Sequence, residues 1–109
     1  MTDIQLPAPI QEFIDATNAG DTDRFLAVFT ADAYLNDWGR EFTGVEGAAR
    51  WNQTDNIGME SRFEVIAAEP GKSPQEWDVT LKVSGNRFNG TGTLKFQVRD
   101  GKIARLVIE

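Results

Sequence analysis

The chain of 109 residues contains no cysteine and no histidine. Without cysteine there is no disulfide, thiol nucleophile or thiolate metal site, and without histidine the commonest general base and metal ligand are missing. Ser-His-Asp and Cys-His catalysis are therefore excluded, and a zinc site would need an all-carboxylate shell that zinc seldom adopts. No window approaches the roughly 18 apolar residues that a membrane helix needs, so no membrane partner is expected. The start, Met1-Thr2-Asp3-Ile4-Gln5-Leu6-Pro7, lacks the basic segment and apolar stretch of an export signal, which makes the cytoplasm the expected compartment. Positive charge is scarce as well. Eleven basic against 17 acidic residues give a net charge of −6, which repels phosphate backbones and argues against nucleic acid as a partner.

Apolar residues make up 40% of the chain and charged residues 26%, an ordinary globular mixture, and the length suits one domain over residues 1–109. Pro7 and Pro9 suit a helix start, and Ile10, Phe13, Ile14 and Thr17 follow at i, i+3, i+4, i+7, one buried helical face. Gly20 reads as a left-handed cap and Asp21 or Thr22 as the N-cap of a second helix. That helix would carry Phe25, Leu26, Val28 and Phe29 on its apolar side and end at Thr30-Ala31-Asp32-Ala33. Tyr34-Leu35-Asn36-Asp37 reads as a short strand, Trp38-Gly39-Arg40 as a turn and Glu41-Phe42-Thr43 as the return, with a third helix over about Val45 to Asn52.

From Ser61 onward the pattern has period two. Trp77, Val79, Leu81 and Val83 alternate with Asp78, Thr80, Lys82 and Ser84; Phe63, Val65 and Ala67 alternate before the turn at Pro70–Pro74; Leu94, Phe96 and Val98 alternate before an Asp100-Gly101 hairpin. The last strand runs from Lys102 to about Ile108. Helices followed by a strand meander give an α+β fold, with three N-terminal helices on a curved antiparallel sheet and a cavity between its concave face and the first and third helices.

The run Ile10–Asp21, then Phe29-Thr30-Ala31-Asp32-Ala33, then Phe42–Ala48, and the closing Asp100–Leu106 together resemble the SnoaL-like branch of the nuclear transport factor 2-like superfamily, over nearly the whole chain. The resemblance implies a cystatin-like cone. The superfamily includes polyketide cyclases, ketosteroid isomerases, dehydratases and epoxide hydrolases beside proteins with no catalytic role, so the fold does not name a reaction. Asp37 matches the strand-end aspartate that serves as general base in the isomerases, which implies acid–base chemistry on a carbonyl compound. Their tyrosine donor aligns with Phe13, and their protonated acid aligns near Thr93. The oxyanion hole is thus largely absent, and Thr93 and Asn52 are the remaining donors to consider.

Side-chain alternation puts Asp37 on the face of Leu35, toward a cavity, where partial desolvation would favour a base; the plainer reading is that Asp37 ties the following turn or pairs with Arg40. Trp38 and Trp51, with Phe13, could shape a pocket for a small hydrophobic molecule, whereas Trp77 reads as core. Arg50 and Arg87 could anchor an acidic ligand, but solvated surface arginines are commoner. Asn89-Gly90-Thr91-Gly92 lacks the third glycine and the strand–helix context of a nucleotide loop and reads as a bend or bulge in a long strand. No cofactor and no metal are expected; Asp21, Asp23 and Asp32 are explained by capping and solvation. Ile66, Ala68 and Val107 fall out of phase with their strands, so the outer sheet face should be packed, and a homodimer is expected. Two functional readings stand side by side: a small-molecule pocket enzyme of isomerase, cyclase or lyase type using Asp37, and a non-catalytic binding or interaction module.

Overall fold

The computed structural model describes residues 5–109; the first four residues of the segment read above for an export signal lie outside it. Helix α1 spans Ala8–Ala19, with Pro7 at its N-cap and Ile10, Phe13, Ile14 and Thr17 buried along one face. Gly20 ends it at φ 68°, and the N–H groups of Gly20 and Asp21 donate to Thr17 and Ala16, a paired closure that left-handed glycine permits. Asp21 then caps α2, Thr22–Leu26, accepting from the Arg24 N–H at 3.2 Å.

Helix α2 is only five residues long, and here the structure corrects the sequence reading. Val28 and Phe29 do not continue it: β1 runs from Phe29 to Asp37, so Thr30–Ala33 lie in a strand. A register shift between Phe29 and Tyr34 explains the mistake. Phe25, Leu26, Val28 and Phe29 fall at i, i+1, i+3 and i+4, a helical face, and the shifted stretch buries the adjacent Phe29 and Thr30 and exposes the adjacent Ala31 and Asp32, which hides the period of two. The strand wins because β6 offers it a ladder, with Ile103 N–H donating to the Val28 carbonyl at 2.7 Å.

The remaining elements are β2 (Arg40–Thr43), α3 (Gly44–Asp55), a 3-10 turn (Ile57–Met59), β3 (Arg62–Pro70), β4 (Glu76–Ser84), β5 (Gly90–Arg99) and β6 (Lys102–Ile108). Helix α3 is thus one turn longer than its apolar pattern suggested. Gly90 to Gly92 pair with β4 without a register shift and so form no bulge, and Asn89 belongs to the loop before β5. The strands make one six-stranded sheet, β2-β1-β6-β5-β4-β3, antiparallel except where β1 runs parallel to β6, so the all-antiparallel expectation holds for four of the five pairings. Register shifts at Val65/Ala67 and Gln97/Val98 help curve the sheet around the helices without closing it. No helix among the described residues is long and apolar enough to cross a membrane.

The core is built around Phe13. Its ring lies 5.2 Å from Phe25, 5.3 Å from Phe96, 5.6 Å from Phe63 and 6.4 Å from Trp51, centroid to centroid. These spacings suit offset and edge-on aromatic contact. Two polar devices fix α1 in place. The Asn18 amide clamps the Phe63 backbone of edge strand β3 through bonds of 2.9 and 2.7 Å. Buried Asn56 donates to Thr17 Oγ1 at 2.9 Å and to Asn52 Oδ1 at 3.1 Å, joining the end of α3 to α1.

Candidate functional site

The site begins at the tight β1–β2 turn. Trp38 and Gly39 both take positive φ, 55° and 91°, and the Gly39 N–H donates to Asn36 Oδ1 at 2.8 Å. Two successive left-handed residues match the twist of a two-residue hairpin. Strand alternation turns Tyr34 and Asn36 outward, where Tyr34 donates to Glu41 and accepts from Asn36, and turns Leu35 and Asp37 inward. Leu35 enters the core, while Asp37 lies on the wall of a cavity of about 570 Å³. That volume falls within the range of roughly 300–1,000 Å³ common for small-molecule sites.

Trp51, Phe63, Val83, Leu94 and Ile108 form the apolar walls; Asn56 and Ser61, almost fully buried, mark the inner end. Trp38 and Phe88, 76% and 48% exposed, stand at the mouth. The cavity therefore opens between the β1–β2 turn and the β4–β5 loop. It lies against α3, β3, β4, β5 and β6, and no residue of α1 lines it, contrary to the cavity expected between the sheet and the first helix.

One side of the cavity is charged. Asp37 Oδ2 accepts from Trp51 Nε1 at 2.9 Å and from the Arg40 guanidinium at 2.8 Å. The same Arg40 nitrogen donates to Asp55 Oδ1 at 2.9 Å, so one arginine bridges two carboxylates. Asp55 also accepts from the Thr54 hydroxyl at 2.7 Å and pairs with Arg87 across the mouth. Its side chain is only 4% exposed. Burial pushes the Asp55 carboxyl upward, but Arg40, Thr54 and Arg87 overcome that and hold it below its ordinary range. Arg40 is in turn held more firmly protonated, chiefly by its bond to Asp55.

Asp37 Oδ1, by contrast, has no hydrogen-bond partner among the described residues. The carboxylate is thus anchored by one oxygen and open at the other. No three carboxylate, histidine or cysteine side chains cluster as metal ligands among the described residues.

The SnoaL-like domain model matches residues 10–106, nearly the full length. The chain belongs to the SnoaL-like domain family. Among solved structures, this SnoaL-like chain is similar to a candidate polyketide cyclase from Sinorhizobium meliloti, with 32% identity, a TM-score of 0.85 and 95% of each chain covered. A candidate ketosteroid isomerase from Kribbella flavida matches at 17% identity and a TM-score of 0.78, over 94% of this chain and 74% of its own. A Mycobacterium tuberculosis protein in complex with estradiol-17beta-hemisuccinate matches at 19% identity and 0.81, over 95% and 93%. No curated protein matches by sequence. The last two structural matches show likeness of fold alone.

Within the SnoaL-like frame, the sequence-selected residues divide. Asp37, Trp38 and Trp51 meet at the cavity. Phe13 does not: it is fully buried, stacked between Trp51 and Phe63 behind the wall. Asn52 is spent inside the protein, its carbonyl accepting from Asn56 and the Ile57 N–H. Thr93 points to the opposite sheet face, since its neighbours Gly92 and Leu94 supply the lining. Neither of the two substitute donors weighed for the missing oxyanion hole therefore reaches the cavity. Arg40, Asp55 and Arg87 went unrecognised as a group because they come from a turn, a helix end and a loop. Spacing along the chain carries no signal for such convergence, and in sequence Arg87 reads first as a solvated surface arginine and only second as an anchor for an acidic ligand.

Proposed function

We propose that this chain binds a small hydrophobic carbonyl compound in its cavity and that Asp37 acts there as general base, in isomerase, cyclase or lyase chemistry. The observation that carries the reading is the one-sided anchoring of Asp37. Trp51 and Arg40 fix Oδ2, which orients the group, while Oδ1 stays free beside apolar walls for a proton to be taken from carbon. Similarity to a candidate polyketide cyclase at 32% identity, and to a fold relative in complex with a steroid ester, supports the ligand class.

A direct test is exchange of the methyl protons of 2-acetylnaphthalene in D₂O, followed by NMR. Wild type is expected to accelerate exchange and Asp37→Asn to lose that acceleration while still binding the ketone, with a drop of at least about 10²-fold, the size usual for a positioned base. Equal exchange by both proteins would remove Asp37 from the chemistry. One observation favours the second reading, a non-catalytic binding module: the bonds from Asp37 to Trp51 and Arg40 also tie the end of β1 to α3. On that reading Asp37→Asn lowers stability and no exchange is seen with either protein.

The same proposal takes the chain as one domain acting as a cytoplasmic homodimer. Ile66, half exposed on the outer sheet face, is the residue a partner would cover. Sedimentation at micromolar concentration is expected to give twice the chain mass; a single-chain mass contradicts the dimer.

A further inference from the structure

The proposed proton transfer leaves negative charge on the ligand's oxygen, and the loss of a hydroxyl at Phe13 leaves no familiar group to meet it. Most donors on the cavity wall are already committed. Trp51 donates to Asp37, Asn56 to Thr17 and Asn52, and Ser61 to the Asp55 carbonyl. Arg40 donates from one terminal nitrogen to two carboxylates, which together offset its charge, and Trp38 offers only an uncharged indole N–H on an exposed ring. Thr91 is uncharged and exposed at the rim.

Arg87 differs from all of these. Its guanidinium pairs with Asp55, Nε lying nearest to the same Oδ1 that takes Arg40. Its two terminal amino groups make no hydrogen bond to any acceptor among the described residues, and the side chain is half exposed on the cavity wall. A guanidinium held at one edge presents the other as a planar fork, which is the geometry that recognises an oxygen bearing negative charge. It approaches from the β4–β5 loop, whereas Asp37 sits at the end of β1. The chain Asp37–Arg40–Asp55–Arg87 ties the two together through successive contacts.

We propose that Arg87 is the oxygen-binding group of this cavity, taking the carbonyl oxygen of an apolar, enolisable ketone or ester. The proposal rests on the reading of Asp37 as base. As Asp37 Oδ1 takes the proton, the C–H pair becomes the new C=C bond and the carbonyl pair moves onto oxygen. Negative charge thus passes from Asp37 to an oxygen already facing Arg87, and the net charge of the cavity does not change. Arg87 favours that transfer because its donors are in place before the charge arrives. Asp55 is then a positioning residue, holding Arg87 by the edge that the ligand does not use.

The test compares equilibrium binding of 2-acetylnaphthalene with that of 2-isopropylnaphthalene, which has nearly the same shape and no oxygen. Arg87→Met is expected to weaken the ketone by about tenfold, the scale of one charge-assisted hydrogen bond, and to leave the hydrocarbon within about twofold. Arg87→Lys, which keeps the charge against Asp55 but loses the fork, should fall between, and it carries the comparison if Arg87→Met does not fold. An equal loss for both probes means that Arg87 only shapes the wall, and no loss for either means that it does not touch the ligand; each outcome overturns the proposal. Asp37→Asn should bind the ketone as wild type does while losing exchange, so Arg87 can fail while Asp37 stands, and the reverse. If neither probe binds wild type, the cavity reading itself falls and this proposal falls with it.

Discussion

Asp55 shows most clearly how a residue's meaning depends on its neighbours. In sequence it is one more acid near a helix end; in the structure it is a buried carboxylate gripped by two arginines and a threonine. Because its folded-state pKa is depressed, the stability it contributes is present above its unfolded value of about 3.9 and is lost as pH falls through the lower folded value. Asp55→Asn should therefore unfold more readily than wild type at pH 7, with the difference shrinking below about pH 4 as the wild-type carboxyl is protonated. Parallel urea titrations at pH 7 and pH 3 check this, and an unchanged difference would show that charge is not the cause. Phe13 was legible as buried but misread as a pocket residue, because the pattern that marks an inward face does not say how far a ring lies from an open space. As the centre of the aromatic cluster, Phe13→Ala is expected to cost about 3–5 kcal/mol of stability in the same assay.

At the scale of elements, strands with unbroken alternation were legible. Trp77–Val83 and Leu94–Val98 lie in β4 and β5, and both buried-to-exposed alternation and turn chemistry marked them. What failed was β1, where a register shift disguised a nine-residue strand as a helix followed by a short strand. The consequence reaches the site, since the parallel pairing of β1 with β6 carries Asp37 to Ile108 and so onto the cavity wall. The 3-10 turn after α3 has no periodic pattern to mark it in the sequence. Gly58 lies within it, and a Cβ there would stand 1.7 Å from the Gln53 carbonyl oxygen. Gly58→Ala must therefore displace the turn that leads from Asn56 to Ser61, with an expected loss of about 1–3 kcal/mol. Calorimetry on that variant would show a lower melting temperature; an unchanged one would mean that the turn moves freely.

For the whole molecule, the order of elements, the resemblance and the absences were enough to give an α+β cone and to exclude histidine- and cysteine-based chemistry. The charged side of the cavity was not legible, since it forms only when a hairpin turn, a helix end and a loop converge around a curved sheet. That convergence gives the fold one apolar space with charge at one side and aromatic groups at its mouth, and binding a small molecule there is the central claim. The most direct measurement is a titration of labelled protein with 2-acetylnaphthalene, following the Trp51 indole N–H, which sits on the cavity wall and donates to Asp37. Saturable shifts of that resonance, together with those of Leu94 and Ile108, are the expected result. Shifts confined to the outer sheet face, or none at Trp51, would contradict the account.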